Sequence, residues 1–182
     1  RRVPSPREAL TANGAVLLRD GAIDRDWYDQ SWELVRAHQG ALRDLLERIS
    51  AREDVTSARI VENMYVYAAC SDAAAAERCA AAWAQDAPFQ MEVSGRKVYW
   101  FPPGIDKGTA LRRAAGRYRP ERILCAGDSV IDVPMLRRAD LAMIPDGTLL
   151  PALPAERTLV CQENVRFPDF VLRTVLAQAG PG

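Results

Sequence analysis

Asp128 and Asp132 are the residues of this sequence best placed for metal chemistry. They stand in the segment GDSVIDVPM, which directly follows the apolar run of residues 123–126. Such a run predicts a buried strand, and Gly127 permits a tight turn between that strand and the next helix. We therefore expect both carboxylates near one point beyond the strand, at the positive end of a helix dipole. Paired carboxylates suit Mg²⁺, which takes one or two of them, keeps several waters and binds phosphate.

A plainer interpretation of the two aspartates is that they only shape the start of a helix. Asp128 would cap that helix, and Asp132 would be a solvated acid in its first turn, where acids are common. Lys107 favours the chemical interpretation, because it opens a predicted helix just ahead of the strand. A lysine there can place a compact positive charge on a phosphoryl oxygen and on a carboxylate. A surface position is the alternative, although the chain has only one other lysine, Lys97.

Short strands that alternate with helices must position these three residues. After residue 104, three apolar runs alternate with three segments of helical periodicity. The runs cover residues 123–126, 141–144 and 158–161, and the helical segments cover residues 107–118, 131–138 and 167–178. Fully apolar strands between helices are typical of a parallel sheet that is buried on both faces. The site of such a sheet lies at the carboxyl ends of its strands.

The preceding residues favour an antiparallel α+β region. The predicted elements are a strand at residues 12–18 with a partner at 22–23, an amphipathic helix at 27–50, and strands within 58–69. The helix has a possible break at Gly40, and the strands have one near residues 62–63. An Ala-rich helix capped by Ser71-Asp72 ends before Pro88, and a hairpin of residues 89–93 and 98–101 follows. Pro102-Pro103-Gly104 then indicates a domain boundary.

Composition excludes several classes of function. The 182 residues carry 24 Lys plus Arg against 24 Asp plus Glu, with a pI near 6.8. This balance argues against a nucleic-acid-binding protein, and no apolar run approaches the ~18 residues of a membrane span. Four sparse cysteines are expected to be buried small hydrophobes in a reducing, cytoplasmic protein. A single histidine, His38, makes histidine-based triads and zinc sites hard to build.

Three segments together resemble the haloacid dehalogenase (HAD) superfamily of phosphohydrolases, in its sugar-phosphatase-like (Cof-type) branch with a C2-type cap. Residues 11–15 (TANGA) are similar to the Asn-Gly strand that precedes the cap in that branch. Residues 104–108 (GIDKG) resemble its third motif, and residues 127–135 resemble its fourth motif, GDSxxDxxM. The resemblance implies an α/β fold: a HAD-like Rossmannoid parallel-sheet core that lacks its N-terminal portion, with an inserted α+β C2-type cap.

The resemblance also implies domains and residue roles. Residues 1–21 and 104–182 would form the core, and residues 22–103 would form the cap. Lys107 would be the catalytic lysine that neutralises the phosphoryl group. Asp128 would bind Mg²⁺ directly, and Asp132 would bind it directly or through water. The phosphate-binding residues would be Asn13, Gly14, Lys107 and Ser129.

The nucleophile and general acid of the family have no counterpart in this sequence. They belong to a DxDx[TV] motif ahead of the Asn-Gly strand, and only eleven residues precede Ala12. Asp24-Arg25-Asp26 lacks both the apolar run and the following threonine, so we interpret it as a turn and helix cap. Three parallel strands would also leave an apolar sheet edge open, where a further strand should pair. We therefore expect the nucleophile on a segment outside this chain.

These features predict a Mg²⁺-dependent phosphomonoester hydrolase for a small, sugar-phosphate-like metabolite. The reaction would pass through an aspartyl-phosphate on the aspartate outside this chain. A catalytically inactive relative that binds a phosphorylated ligand or a protein partner is the alternative. Aromatic residues of the cap are candidates for choosing the substrate, with core packing as their other role: Tyr65, Tyr67, Tyr99, Trp100 and Phe101.

Overall fold

The chain forms two compact units, Arg1–Asp106 and Lys107–Gly182. We describe residues 8–83 and 88–178 from a computed structural model. Among these residues, the first unit holds two antiparallel sheets and three α-helices, and the second holds a parallel sheet and three α-helices. This α/β architecture confirms the predicted fold class. Residues 1–7 of the loop predicted at the start lie outside the described residues.

A small antiparallel sheet opens the first unit. Its strands are β1 (Glu8–Thr11), β2 (Val16–Arg19) and β3 (Ala22–Ile23), in the order β1-β2-β3. The hairpin of β2 with β3 was predicted, but β1 was not. The predicted start of β2 at residue 12 was wrong, because Ala12, Asn13 and Gly14 have φ of 49°, 56° and 89°. Left-handed backbone of this kind turns the chain instead of continuing a strand.

Two helices follow this sheet, where the sequence predicted one helix with a possible break at Gly40. α1 spans Arg25–Val35 and α2 spans Gln39–Ser50. The break lies at Arg36–His38, a single 3-10 turn, and not at Gly40, which is inside α2. Asp24 caps α1, since its carboxylate accepts a hydrogen bond from the Trp27 N–H at 2.9 Å. The interpretation of residues 24–26 as a turn and helix cap is thereby confirmed.

A four-stranded antiparallel sheet with helix α3 completes the first unit. The strands are β4 (Val55–Val61), β5 (Tyr65–Cys70), β6 (Gln90–Ser94) and β7 (Lys97–Phe101), in the order β4-β5-β7-β6. α3 (Ala73–Trp83) starts at Asp72, whose carboxylate accepts the Ala75 N–H at 2.7 Å, as the sequence predicted. α2 and α3 share one apolar core with one face of this sheet. Trp100 belongs to that core and is 1% exposed.

The other face of the sheet carries most of the predicted aromatic candidates. Successive residues of a strand point to opposite faces, so Tyr99 and Phe101 lie opposite to Trp100. Their rings are 5.7 Å apart and nearly parallel, and Tyr65 and Tyr67 pack against them. The Arg59 guanidinium lies 5.5 Å from the Tyr67 ring centre. The structure therefore places Trp100 on the face under α2 and α3 and the other four rings on the opposite face, where Tyr65 and Phe101 are also buried.

The second unit is built on the predicted parallel sheet. Its elements are α4 (Lys107–Tyr118), β8 (Leu124–Ala126), α5 (Val133–Leu136), β9 (Leu141–Ile144), β10 (Thr158–Val160) and α6 (Phe167–Gln178). The strand order is β10-β9-β8 and both pairs are parallel. The helix predicted at residues 131–138 is shorter, because Val130–Asp132 is a 3-10 turn. A core of its own fills this unit, with Leu136, Ala142 and Ile144 almost fully buried.

The closing helix, α6, has the predicted bounds but an unexpected environment. None of its residues is buried, and Leu172 and Leu176 are 58% and 62% exposed. Apolar surface of this kind is normally covered in a soluble fold.

No helix in the described part of the chain combines the length and the apolar character that crossing a bilayer requires.

Candidate functional site

The two aspartates of the fourth motif lie just after the carboxyl end of strand β8. β8 ends at Ala126, and the N–H of Gly127 donates to the Met143 carbonyl at the end of β9. Gly127 is needed here, because a Cβ on it would lie 2.8 Å from the Asp132 carboxyl carbon. The missing side chain lets Asp132 fold back over the strand end. The carboxyl end of a parallel strand is the expected position of a site in such a sheet.

Asp132 is buried and fully engaged. It is only 4% exposed, and its Oδ2 accepts hydrogen bonds from the Asp128 N–H, the Ser129 N–H and the Ser129 hydroxyl, each at 3.1 Å. Its Oδ1 accepts a hydrogen bond from the Lys107 ammonium, with which it forms an ion pair. Both oxygens of this carboxylate are therefore held by donors.

The ionised form of Asp132 is stabilised by these donors. Burial by itself raises the pKa of this carboxyl group, because a charge loses its hydration. The hydrogen bond and the charge of Lys107, together with the N–H groups of Asp128 and Ser129, outweigh burial and lower the pKa. Asp132 is therefore a carboxylate at neutral pH and fixes the position of the lysine.

Asp128 has the opposite character. It is exposed, and its carboxylate makes no hydrogen bond or ion pair with the residues that the structure describes. Asp128 therefore presents an unused oxygen pair beside the ion pair of Lys107 with the buried Asp132. An exposed, unpaired carboxylate at a strand end retains the coordination capacity that a hard cation such as Mg²⁺ needs.

Lys107 comes to this cluster from the first residue of α4. Its side chain is 37% exposed, so one side of the ammonium faces its carboxylate partner while solvent reaches the other. The structure therefore brings together Lys107, Asp128, Asp132 and Ser129 within one unit, although Lys107 and Asp132 are 25 residues apart in the sequence. The Ser129 hydroxyl donates to Asp132 here, and its predicted contact to phosphate stays a prediction.

Asn13 and Gly14 belong to the first unit, in the turn between β1 and β2. The Asn13 side-chain oxygen is buried and has no hydrogen-bond partner in the described ranges 8–83 and 88–178. The Gly14 carbonyl accepts a hydrogen bond from the Trp27 indole at 3.0 Å. A buried acceptor without a partner is rare, because it costs free energy that a donor would recover. The role of these two residues in phosphate binding stays a prediction.

Asp128 and Asp132 are the candidate ligands for a magnesium ion. The described residues contain no cluster of three or more histidine, cysteine, aspartate or glutamate side chains arranged for a metal ion. Asp128 and Asp132 nevertheless fit Mg²⁺ in kind, since one or two carboxylates, water and substrate phosphate are its usual ligands. Sequence reasoning identified these acids but missed that Ser129 and two backbone N–H groups hold the second one.

Comparison with known proteins gives the fold class. The sucrose-phosphatase of Synechocystis sp. PCC6803, solved in complex with sucrose and phosphate, is similar over 96% of this chain and 75% of its own, with 18% identity and a TM-score of 0.65. A trehalose-6-phosphate phosphatase related protein is similar over 92% of this chain and 69% of its own, with 17% identity and a TM-score of 0.51.

A haloacid dehalogenase-like hydrolase from B. subtilis matches in the same way. It is similar over 84% of this chain and 74% of its own, with 14% identity and a TM-score of 0.51. No family model and no curated protein sequence matches this chain. The chain has the HAD-like α/β fold, as the motifs predicted.

Proposed function

We propose that this chain carries the lysine and metal half of a Mg²⁺-dependent phosphomonoester hydrolase. The observation that carries this proposal is the cluster at the end of β8, where Lys107 pairs with the buried Asp132 beside the free carboxylate of Asp128. A fixed ammonium group can stabilise the negative equatorial oxygens of a phosphoryl group, and a free carboxylate beside it can hold a metal ion that does the same. The fold similarity to phosphatases supports this direction.

Asp128 is the direct metal ligand in this proposal. Both carboxylate oxygens of Asp132 accept hydrogen bonds from protein donors, so Asp132 acts mainly by holding Lys107 and the turn of residues 128–132. Bound Mg²⁺ would supply charge neutralisation at the phosphoryl oxygens and would orient the phosphate. Water, substrate phosphate and the nucleophilic aspartate outside this chain would complete its ligands.

Lys107 neutralises the charge on the phosphoryl oxygens during transfer. Its ammonium is already fixed by Asp132, so little ordering is required when the substrate binds. The covalent step forms a bond between phosphorus and the carboxylate of the upstream aspartate and breaks the bond to the leaving oxygen, which takes a proton from the general acid of the same upstream motif and departs as the alcohol. Water then releases inorganic phosphate and restores the carboxylate. The chain described here contributes the charge stabilisation of both steps.

The substrate proposed is a small sugar phosphate. Residues 22–103 would act as the cap that chooses the leaving group. In the ring cluster, the partly exposed Tyr67 and Tyr99 offer an aromatic surface for a sugar ring, and the buried Tyr65 and Phe101 pack against them. Asn13 and Gly14 would bind phosphate from the core. We propose residues 1–21 and 104–182 as that core.

The test is a phosphatase assay on the full-length protein with a panel of sugar phosphates, with and without Mg²⁺. We expect hydrolysis that requires Mg²⁺ and is lost with a chelator. Lys107→Gln should lower kcat by about 10²–10³-fold, as the loss of a charge-stabilising donor does. The matched control is Lys97→Gln, which removes the only other lysine from an exposed position on β7 and should leave kcat unchanged.

Asp128→Asn is the second arm of this assay. It should raise the Mg²⁺ concentration needed for half-maximal activity, because an amide is a weaker ligand than a carboxylate for a hard cation. Activity that Asp128→Asn leaves unaffected would refute the proposed metal role. Binding of phosphate with no turnover in the parent protein would favour the inactive relative.

A further inference from the structure

The second residue of α4 is a glycine in very close contact with α5. A Cβ placed on Gly108 would lie 2.6 Å from the carbonyl carbon of Pro134 and 2.9 Å from Nε of Arg138. Ordinary contacts begin near 3.4 Å, so the Pro134 carbonyl would have to retreat by 0.8 Å or more. That carbonyl belongs to the backbone of α5 and cannot rotate away as a side chain can. Only glycine fits at this position without moving α4 from α5.

This close contact lies next to the ion pair of the candidate site. Lys107 directly precedes Gly108 in α4, and Asp132 stands two residues before Pro134 at the start of α5. A displacement of α4 from α5 therefore moves the two charged residues apart. Asp132 cannot follow the lysine, because its other oxygen is held by the N–H groups of Asp128 and Ser129 and by the Ser129 hydroxyl.

A second glycine in the same helix shows that the contact is local. Gly116 is also in α4, is exposed, and has nothing within 4 Å of its Cβ position. Glycine is a poor helix former, so the helix has a reason to avoid it at either position. At Gly116 no neighbouring atom would prevent a larger residue. At Gly108 the backbone of α5 leaves no room for a side chain, which accounts for the glycine.

We propose that Gly108 is a positioning residue, whose lack of a side chain sets the distance between α4 and α5 at which the Lys107 ammonium reaches Asp132. Its consequence for catalysis rests on the function proposed above. Its effect on the ion pair does not, and can be measured without activity. Gly108 acts through Lys107 and touches neither metal nor substrate.

The ion pair is followed by NMR of lysine ammonium groups in the ¹⁵N-lysine-labelled chain, at one fixed pH and without divalent metal. With two lysines, only Lys97 and Lys107 give signals. Gly108→Ala should speed exchange of the Lys107 ammonium protons with water by about twofold to fivefold, the factor expected for loss of a partly exposed ion pair. Gly116→Ala, the matched control, should leave that rate unchanged, and Lys97 serves as the internal reference in both variants.

A merely structural role gives a different result. Gly108→Ala would then lower the thermal midpoint while the Lys107 exchange rate stayed at the parent value, and that result overturns the proposal. The double variant Gly108→Ala with Gly116→Ala covers the case of poor folding, because alanine at position 116 strengthens the helix. If neither variant has a cooperative thermal transition, Gly108 is required for folding as such and the proposal is also overturned.

Kinetics on the full-length protein separate the inference from the proposed function. Gly108→Ala should lower kcat while KM and the Mg²⁺ requirement stay near the parent values. Faster ammonium exchange in a protein without phosphatase activity would support the positioning role and contradict the proposed function. An unchanged exchange rate in an active enzyme would contradict the positioning role and support the proposed function.

Discussion

At the scale of single residues, the site depends on two aspartates with opposite environments. Asp132 is almost fully buried and bonded at both oxygens, whereas Asp128 is exposed and unpaired among the described residues. The same residue type therefore serves to fix a lysine at one position and to remain available for a ligand at the other. The environment, and not the residue type, decides which role each carboxylate has.

The pH dependence of stability should report the pairing of Asp132. Its folded-state pKa lies below the 3.8 of an unperturbed aspartate, so the pair stabilises the fold above that pH. The contribution is lost as the pH falls through the folded-state pKa. We expect Asp132→Asn to lower the free energy of unfolding by about 1–3 kcal/mol at pH 7, because hydrogen bonds to a buried charge are lost.

Urea denaturation in the presence of a chelator measures this effect. The difference between the parent protein and Asp132→Asn should shrink steadily below pH 4, as both side chains become neutral. Asp128→Asn is the control and should match the parent across the range. A difference for Asp132→Asn that does not change with pH would show that the ion pair contributes nothing to stability.

At the scale of elements, β7 divides its aromatic residues between two environments. Trp100 lies in the core under α2 and α3, and Tyr99, the residue before it, lies on the opposite face with the ring cluster. Alternation along a strand makes this division unavoidable. Within the cluster, Tyr65 and Phe101 are buried, whereas Tyr67 and Tyr99 are partly exposed.

Substitutions in β7 should separate stability from ligand binding. Trp100→Ala should lower the free energy of unfolding by about 3–5 kcal/mol, since it leaves a large cavity in the core. Tyr99→Ala should have a smaller effect on stability and should raise KM for the sugar phosphate. Thermal denaturation and steady-state kinetics test the two effects. A Tyr99→Ala variant with unchanged KM would exclude that residue from substrate recognition.

At the scale of the whole molecule, the described residues form an apolar core in each of the two units. The core of the first unit includes Leu42, Val66 and Trp100, and the core of the second includes Leu136 and Ile144. The buried cysteines are divided between them, with Cys70 and Cys79 in the first core and Cys125 in the second. Burial raises the pKa of Cys79 and of Cys125 to about 11, so neither thiol reacts readily in the folded state.

Thiol labelling should reveal how the two units unfold. In the native protein, a thiol reagent should react with Cys161, which is only partly buried, and Cys161→Ser should remove that reaction. With increasing denaturant, Cys79 and Cys125 should become reactive at different midpoints, because cores that do not share residues can open separately. Labelled peptides identified by mass spectrometry give the two midpoints. Coincident midpoints would show that the chain unfolds as one cooperative unit.

Local chemistry made many elements predictable. Apolar runs predicted β8 and β9, Asp72 predicted the start of α3, and the GDSVIDVPM segment predicted where two carboxylates stand. The predictions failed where the backbone took an unexpected local conformation. Ala12 is left-handed although it is not glycine, and the break between α1 and α2 lies at residues 36–38 although Gly40 was the expected helix breaker.

The sequence by itself determined most of the strands and helices and the residue types available for chemistry, because these depend mainly on neighbours along the chain. Only the tertiary structure decided which of those residues contact one another. Lys107 meets Asp132, and Gly108 meets Pro134, because α4 packs on α5, two elements separated by a whole strand. The Asp128 carboxylate has no partner in the described part of the chain. Contacts between distant segments depend on how elements pack, and spacing along the chain does not encode their distances.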